Sequence, residues 1–289
     1  MIRIATRGST QARTQAQSIA DQLAAVGHEC ELVIISTHGD RTQSANVPLH
    51  TIGGQGVFVK EVQTAVLDGR ADIAVHSAKD LPTTPTDGLV IGAFSERRSP
   101  ADALVGRPLV DLPNGAVVAT GAVRRRAQLH RARPDLEFVE LRGNIASRLD
   151  KVPDGGSIVM AVAALEILRM TDRIAEVLDP AEFVPAVGQG CVAVECGDRN
   201  DRLLTALARI DHDRTRHEVT VERAFLAELG SGCSLPIGAH VDGRRLYTFL
   251  SNDETGVTVS DTFELPDIVE ADVEIARQAA RAAHIHVRR

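Results

Sequence analysis

Residues 70–82 read RADIAVHSAKDLP, and this stretch runs from a short apolar strand straight into a cluster of polar side chains. The apolar part, Asp72–Val75, has the length and composition of a buried strand. The polar part is HSAKD at residues 76–80. Ligands of open α/β sheets bind where strands end and helices begin. The stretch therefore predicts an α/β fold and places polar chemistry at the end of one strand.

Strand and helix signals alternate along the chain on both sides of this stretch, which is typical of βαβ units. In the first hundred residues they predict strands at 2–6, 31–36, 72–75 and 89–94 and helices at 10–26 and 57–67. A polar segment at 96–102 indicates a crossing between domains. A second set of signals then predicts strands at 116–120, 137–141 and 157–162 and helices at 122–131 and 145–149.

The last part of the chain has a different order of signals. Helical patterns at 203–210 and 218–229 precede three strand signals and a closing helix, at 238–240, 246–250, 257–263 and 268–283. We therefore expect an α/β protein with two α/β domains and a small C-terminal α+β domain. The first domain comprises residues 1–95 with 190–208, the second residues 100–186 and the third residues 213–289.

Charge and composition argue against nucleic acid as a partner. The 289-residue chain has 32 basic and 39 acidic residues, a net charge of −7, and only 3% aromatic residues. It therefore lacks both the overall basic character and the aromatic stacking surfaces typical of nucleic-acid binders. Between residues 124 and 148, however, seven arginines stand against three acids, which indicates a focused site for an anion.

Apolar runs in the chain are short. The longest, Ile158–Leu165, has eight residues, whereas a membrane-spanning helix needs about 20. The opening residues, MIRIA, lack the charged and apolar parts of a signal peptide. We expect a soluble, cytoplasmic protein without a membrane partner.

The four cysteines fall into two groups. Cys30, Cys191 and Cys196 are not spaced like zinc ligands, so we expect no metal and predict that they are small buried hydrophobic residues. Cys233 lies in GSGCSLP at residues 230–236, where small neighbours leave a thiol accessible. It is either a reactive or modified cysteine or a packed loop residue.

Four predicted strand ends carry polar or cationic residues. They are RGS at 7–9, HSAKD at 76–80, Thr120-Gly121 before a helix with Arg124 and Arg125, and RGN at 142–144 before Arg148. Guanidinium groups and backbone N–H groups at such turns bind carboxylates and phosphates. None of these segments has the pattern of a P-loop or of a dinucleotide-binding loop. The sequence therefore predicts a cleft for a small polycarboxylate.

Asp80 follows Lys79 in the polar turn of the stretch quoted above. A carboxylate there either stabilises a cationic intermediate and moves a proton, or caps the backbone N–H groups of the turn. The spacing alone favours the cap and leaves the catalytic interpretation open.

Six segments together resemble porphobilinogen deaminase, a family also called hydroxymethylbilane synthase. They are RIATR at 3–7, FVKE at 58–61, RADIAVHSAKDLP at 70–82, LRGN at 141–144, PAVGQG at 185–190 and GCSLPIG at 232–238. These segments span nearly the whole chain in the family's order.

The resemblance implies a three-domain transferase whose first two α/β domains are similar to type-II periplasmic binding proteins. The family joins four porphobilinogen molecules head to tail and releases ammonia, which yields hydroxymethylbilane for tetrapyrrole and haem biosynthesis. The resemblance also implies a monomer and a dipyrromethane cofactor attached through a cysteine thioether, and Cys233 matches that cysteine.

The resemblance further implies roles for individual residues. Asp80 matches the catalytic aspartate, which stabilises the cation left when ammonia departs and assists proton transfers. Positions that hold the cofactor are matched by Ser77, Lys79, Asp80, Thr120, Arg124, Arg125, Arg142, Asn144 and Cys233. Positions around the incoming porphobilinogen are matched by Arg7, Ser9, Phe58, Arg148 and Gln189.

The chain departs from the family's pattern at His38, Gln55, Gly121, Ala122 and Ile167. At Ile167 a substrate-binding arginine is usual, and each lost charge-assisted hydrogen bond costs about 1.5–3 kcal/mol. A neighbouring cation, such as Arg126 or Arg169, would have to compensate. Two alternatives to the synthase thus stay open: a diverged paralogue acting on another pyrrole, and a non-enzymatic carboxylate-binding protein with two lobes.

Overall fold

Two mixed five-stranded sheets and one three-stranded antiparallel sheet organise the chain. The computed structural model describes residues 1–37, 59–230, 236–252 and 254–288. Its strands are β1 (Ile2–Arg7), β2 (Cys30–Ile35), β3 (Ile73–Ser77), β4 (Leu89–Phe94), β5 (Asp102–Gly106), β6 (Val117–Ala119), β7 (Glu137–Val139), β8 (Ser157–Ala161), β9 (Glu176–Val177), β10 (Val192–Gly197), β11 (Ile237–Asp242), β12 (Arg245–Ser251) and β13 (Thr258–Glu264). Its helices are α1 (Thr10–Ala25), α2 (Lys60–Leu67), α3 (Val123–Ala132), α4 (Ile145–Leu149), α5 (Val162–Ile167), α6 (Asp201–Ala208), α7 (Asp213–Glu228) and α8 (Val269–Val287).

The first sheet has the strand order β2-β1-β3-β10-β4. β1 is parallel to β2 and β3, whereas β10 returns after the second sheet and lies antiparallel between β3 and β4. The core against this sheet includes Ile4, Leu23 and Leu207, the last two from α1 and α6. Because β3 is the central strand, the turn that follows it lies at the middle of the sheet's edge.

The second sheet has the order β7-β6-β8-β5-β9, with β6 parallel to both of its neighbours and β5 antiparallel to both of its own. The interpretation of residues 96–102 as a crossing is wrong at its last residue, because β5 begins at Asp102. Residues 101–106, ADALVG, are otherwise apolar and lie inside the sheet. A buried acid in such a strand requires a partner of opposite charge.

A small α+β unit completes the fold. Strands β11, β12 and β13 form an antiparallel sheet. Helices α7 and α8 pack against this sheet, with a core that includes Phe225, Leu246 and Ala280. The predicted fold class, two α/β units followed by a small α+β unit, is confirmed by these three sheets. The domain boundaries themselves remain predictions.

Residues 157–167 were predicted only as a strand at 157–162, and this was incomplete. The chain changes from β8 to α5 at Val162, and residues 158–165 are buried throughout. A run that is apolar on every side has no hydrophobic period, so neither a strand nor a helix can be recognised from it. The missed helix matters because it carries Ile167 into the cleft described below.

Burial agrees with the sequence at two of the three cysteines predicted to be core residues. Cys191 and Cys196 are buried, and the loss of hydration raises their thiol pKa to about 12 and about 11. Cys30 is only half-buried, so that prediction was wrong: its strand, β2, lies at the edge of the first sheet. Within the described part of the chain, no helix is both long and apolar enough to cross a membrane.

Candidate active site

A narrow cleft separates the first sheet from the second, and helices α1 and α5 touch across it. The turn after β3 faces the segment that leads into β10. There the Lys79 Nζ donates a hydrogen bond to Gln189 Oε1, at 3.1 Å. Gln189 is 1% exposed, and its Nε2 donates to the Pro100 carbonyl and to the Asp102 carboxylate, at 2.7 and 2.9 Å. The predicted residues Lys79 and Gln189 thus meet between the two sheets.

Lys79 is exposed to solvent at the cleft, yet protein atoms crowd around its side chain. The resulting loss of hydration is the main cause that lowers the pKa of Lys79 to about 8. The positive charge of Arg125 adds to this effect, whereas Asp80 and Asp102 oppose it. A lysine in such surroundings gains from any anion that binds beside it.

Asp80 lies in a single 3₁₀ turn, Ala78–Asp80, and is half-buried. Among the described residues, none donates a hydrogen bond to its carboxylate, and none forms an ion pair with it. The capping interpretation is therefore wrong. The positive charges of Lys79 and Arg148 are nevertheless close enough for electrostatic interaction with it. This leaves the carboxylate of Asp80 available to a ligand in the cleft.

Arg124 and Arg125 begin α3 and are both buried, and Asp102 of β5 neutralises them. Arg124 Nη2 and Arg125 Nη2 each lie 2.6 Å from an Asp102 carboxylate oxygen, and Asp102 is 0% exposed. Burial alone would raise the pKa of Asp102, but the two guanidinium groups hold it well below its ordinary value. The two cations therefore bring one net positive charge to the cleft rather than two.

Arg142 and Arg148 add to the positive charge of the cleft. Arg142 is 6% exposed, and its Nη1 has no hydrogen-bond partner among the described residues. Arg148 donates from Nε to the Gly143 carbonyl at 2.7 Å. Desolvation and then the charges of Arg125 and Arg142 lower the pKa of Arg148 to about 10. A buried guanidinium nitrogen without an acceptor costs free energy, and a carboxylate bound beside Arg142 would supply one.

Most of the remaining predicted residues form hydrogen bonds close to the strand ends. Ser9 Oγ accepts from the Ala12 N–H at 3.2 Å and so caps α1, and Asn144 Oδ1 accepts from the Ser147 N–H at 2.9 Å and caps α4. Thr120 Oγ1 accepts from the Ala122 N–H at 3.3 Å. Ser77 Oγ donates to Gln15 Oε1 at 3.1 Å. Arg7 ends β1, and its charge reaches Arg148.

Several predicted residues lie outside the described part of the chain. They are Cys233 and Phe58, together with the departures His38 and Gln55.

Ile167, the departure at the end of α5, lines a small pocket of about 30 Å³ in the cleft, together with Ser77, Lys79 and Gln189. Neither Arg126 nor Arg169, the two cations considered as compensation for Ile167, borders this pocket. A larger depression of about 430 Å³ lies at the junction with the α+β unit and is bordered by none of the predicted site residues. We therefore place the site in the cleft at the narrower pocket, which is bordered by Lys79, the neighbour of Asp80 in the chain.

Three charged residues of the interior were missed from the sequence: Asp102, Arg97 and Glu222. Arg97 Nη1 lies 2.6 Å from a carboxylate oxygen of Glu222. Its Nε donates to the carbonyl of Gln189 at 2.9 Å. Asp102 and Glu222 could have been found from the sequence, because each is an acid within a mainly apolar segment, ADALVG at 101–106 and VERAFL at 221–226. Such residues are rarely buried without a partner.

Comparison with known proteins identifies the family of the chain. A family model for the dipyromethane cofactor binding domain of porphobilinogen deaminase matches residues 2–205, and a second, for the C-terminal domain, matches residues 216–263. A porphobilinogen deaminase from Acidothermus cellulolyticus is 45% identical over 278 residues, which are 93% of this chain and 79% of the relative. One from Thermobifida fusca is 41% identical over 295 residues, covering 96% of this chain and 91% of the relative.

Solved structures with a similar fold include a nutrient binding protein from Burkholderia cenocepacia bound to methionine. It is 12% identical, with a TM-score of 0.43, over 81% of this chain and 98% of its own. The family itself follows from the sequence matches, which extend over most of both chains. With its paired and unpaired cations around one free carboxylate, this chain belongs to the porphobilinogen deaminase family.

Proposed function

We propose that this chain is a hydroxymethylbilane synthase, which condenses four porphobilinogen molecules head to tail with release of ammonia. The observation that carries the proposal is the cluster of cations around Asp80, whose own carboxylate has no partner among the described residues. Porphobilinogen carries an acetate and a propionate, so a growing chain of pyrroles accumulates negative charge. A cleft that gathers cations around one carboxylate fits that substrate class.

The cofactor of this family also fits the residues present. A dipyrromethane made from two porphobilinogen units carries four carboxylates, and the buried Arg142 Nη1 lacks an acceptor. We propose that Lys79, Arg124, Arg125 and Arg142 hold those carboxylates, together with the Asn144 amide, and that Ser77 and Thr120 lie beside them. When bound, the cofactor supplies a nucleophilic pyrrole carbon as the primer for condensation. We propose Cys233 as its attachment point, because the GCSLPIG segment matches the family there.

The chain's own residues then act on the incoming porphobilinogen. Asp80 lies next to the place where positive charge develops as ammonia leaves, and a carboxylate stabilises that charge. The same carboxylate accepts and returns the protons of coupling and rearomatisation. Arg7, Ser9, Phe58, Arg148 and Gln189 are proposed to position the substrate. The lowered pKa of Lys79 supports its place at a site that anions complete.

Intact-mass measurement of the purified chain tests the function and the attachment together. We expect an adduct of two pyrrole units that grows in single-pyrrole steps when porphobilinogen is added. Cys233→Ser should remove the adduct, whereas the matched control Cys30→Ser should keep it, because Cys30 lies on β2 at the edge of the first sheet. An adduct mapped to another cysteine contradicts the attachment. A chain that gains no mass from porphobilinogen, even after preformed hydroxymethylbilane is supplied, contradicts the function.

A cytoplasmic location, a monomeric state and the three domain boundaries remain predictions. Gel filtration with light scattering tests the monomer, since one scattering mass equal to the 30.9 kDa chain is expected.

A further inference from the structure

The lining of the pocket in the cleft combines apolar and hydrogen-bonding side chains. Ala163, Ala164 and Ile167 of α5 form an apolar wall. Gln11 and Gln15 of α1 also line the pocket, and Gln15 accepts a hydrogen bond from Ser77. The pocket therefore offers a ligand in the cleft both apolar contact and hydrogen bonds.

The described residues that line this pocket include two cations, Lys79 and Arg98, and no carboxylate. Lys79 already donates a hydrogen bond to Gln189 at 3.1 Å. The guanidinium group of Arg98, in contrast, has neither a hydrogen bond nor an ion pair with any described residue. The pocket thus holds a surplus of positive charge, and one of its cations is uncommitted.

The backbone of Arg98 is held in place although its side chain is free. Its N–H donates to the Gly190 carbonyl at 2.9 Å. Gly190 has a φ of +94°, which favours glycine. A side chain at this position would also clash, because its Cβ would lie 2.6 Å from the Arg98 carbonyl oxygen. The two segments can therefore lie this close only because residue 190 is glycine. The guanidinium therefore extends from a fixed point between the two sheets, at the border of the pocket.

Arg98 also borders the larger depression, whose lining includes Glu96, Asp179 and Asp242. None of these acids forms an ion pair with it within 4.0 Å in the structure. The side chain is thus not committed to these acids and is available to a carboxylate bound in the cleft.

We propose that Arg98 is a specificity-determining residue that binds a side-chain carboxylate of the incoming pyrrole at the pocket that it lines together with Ile167. This inference rests on the proposed function and names the cation that recognises its substrate. The apolar wall around Ile167 contacts the ring, and Arg98 binds the acid. A pyrrole without that carboxylate loses the interaction.

Steady-state kinetics of the holoenzyme with Arg98→Gln tests this. We expect the KM for porphobilinogen to rise about 10- to 100-fold, the loss of one charge-assisted hydrogen bond, while kcat stays close to that of the unaltered chain. The matched control is Arg13→Gln, an exposed arginine of α1 that does not line the pocket. The double variant Arg98→Gln with Ile167→Arg should lower the KM again, because it returns a guanidinium group to the lining of the same pocket.

A second readout separates charge recognition from a structural effect. Porphobilinogen with one carboxylate converted to an amide should bind more weakly to the unaltered chain, and Arg98→Gln should add little further loss for that analogue. Equal KM values for Arg98→Gln and Arg13→Gln overturn the assignment, as do additive losses with both amide analogues. If the unaltered chain turns over no porphobilinogen, both the function and this inference fail; turnover without an Arg98 effect refutes the inference alone.

Discussion

Asp80 and Lys79 are neighbours in the chain, but the structure treats their side chains differently. Lys79 is bound to Gln189, and its pKa is lowered because the cleft restricts its hydration. Asp80 has no hydrogen-bond partner among the described residues. A carboxylate at a turn that does not cap the backbone contributes little to folding. Its position in a cationic cleft is therefore best explained by the chemistry of the site.

Asp80→Asn should lower turnover by about 100- to 10,000-fold, the range for loss of a general acid or base. Its thermal unfolding should stay close to that of the unaltered chain, because no described hydrogen bond is lost. Asp87→Asn, an exposed acid in the following loop, is the matched control. Turnover equal to that of the control would refute the role of Asp80.

Lys79 should titrate near pH 8 in the chain without cofactor. The protein has three lysines, Lys60, Lys79 and Lys151, so methyl labelling and NMR can follow each one. We expect one signal, absent from Lys79→Arg, to titrate near pH 8 in the Cys233→Ser chain. The unfolded chain keeps this proton up to about pH 10.5, so Lys79 makes the free energy of unfolding increase with pH between about 8 and 10.5. A spectrum in which no lysine titrates below pH 9 contradicts the structure.

At the scale of the elements, helix starts explain much of the site. Ser9 begins α1 and Asn144 begins α4, and both side chains accept backbone hydrogen bonds. Both residues were assigned to ligand binding through the family resemblance. They have a structural role as well, and their substitution will change stability in addition to affinity.

Ser9→Ala should lower the free energy of unfolding by about 1 kcal/mol, the usual value of an N-cap. Ser9→Asn should keep it, because an asparagine oxygen accepts the same Ala12 N–H. Chemical denaturation of the three chains measures the difference. If all three unfold at the same denaturant concentration, the cap contributes nothing to stability.

Element predictions succeeded where the local pattern was unambiguous. Strand β4 and helix α4 have the predicted bounds. Strand β5 was missed because Asp102 made its first residues resemble a polar crossing. Helix α5 was missed because its surroundings are apolar on all sides. In both cases the tertiary environment determines the structure: two arginines neutralise Asp102, and neighbouring elements bury all of α5 but its end.

At the scale of the whole molecule, Glu222 ties the α+β unit to the two segments that connect the five-stranded sheets. It is 0% exposed, and its carboxylate accepts from Arg97 at 2.6 Å and from the N–H groups of Gly188 and Val241 at 2.8 and 2.9 Å. Arg97 in turn donates to the carbonyl of Gln189 in the cleft. A buried carboxylate of the α+β unit therefore holds Arg97, and Arg97 in turn holds the backbone of Gln189, whose side chain accepts the hydrogen bond from Lys79.

Glu222→Gln should lower the free energy of unfolding by about 3–5 kcal/mol, because the buried Arg97 then keeps only its longer ion pair with Glu218, at 3.7 Å. Glu228→Gln, which loses only the exposed pair of the same helix with Arg281, should cost about 1 kcal/mol or less. Denaturation of both variants at neutral pH tests this. Equal stability of the two variants would show that the buried pair does not hold the units together.

The same carboxylate predicts the acid stability of the fold. Burial alone would raise the pKa of Glu222, but Arg97 and His240 lower it to about 2. The unfolded value is near 4.5, so this contribution is complete above about pH 4.5 and is lost as the pH falls toward 2. Asp102 adds a change of the same sign. The acid unfolding transition of the unaltered chain should therefore be steeper than that of Glu222→Gln.

The sequence by itself determined the α/β class, the three-part order and the strand ends that carry the chemistry, because hydrophobic period and turn residues are local properties. It also indicated an anion site, because four predicted strand ends carry polar or cationic residues. Only the tertiary structure decided which charges are free. It pairs Arg124 and Arg125 with Asp102, leaves the Arg142 Nη1 and Asp80 without described partners, and brings Arg98 and Ile167 into the lining of one pocket. Such pairing depends on residues tens of positions apart in the chain, and burial makes each pairing strong, because charges interact most strongly where water is excluded.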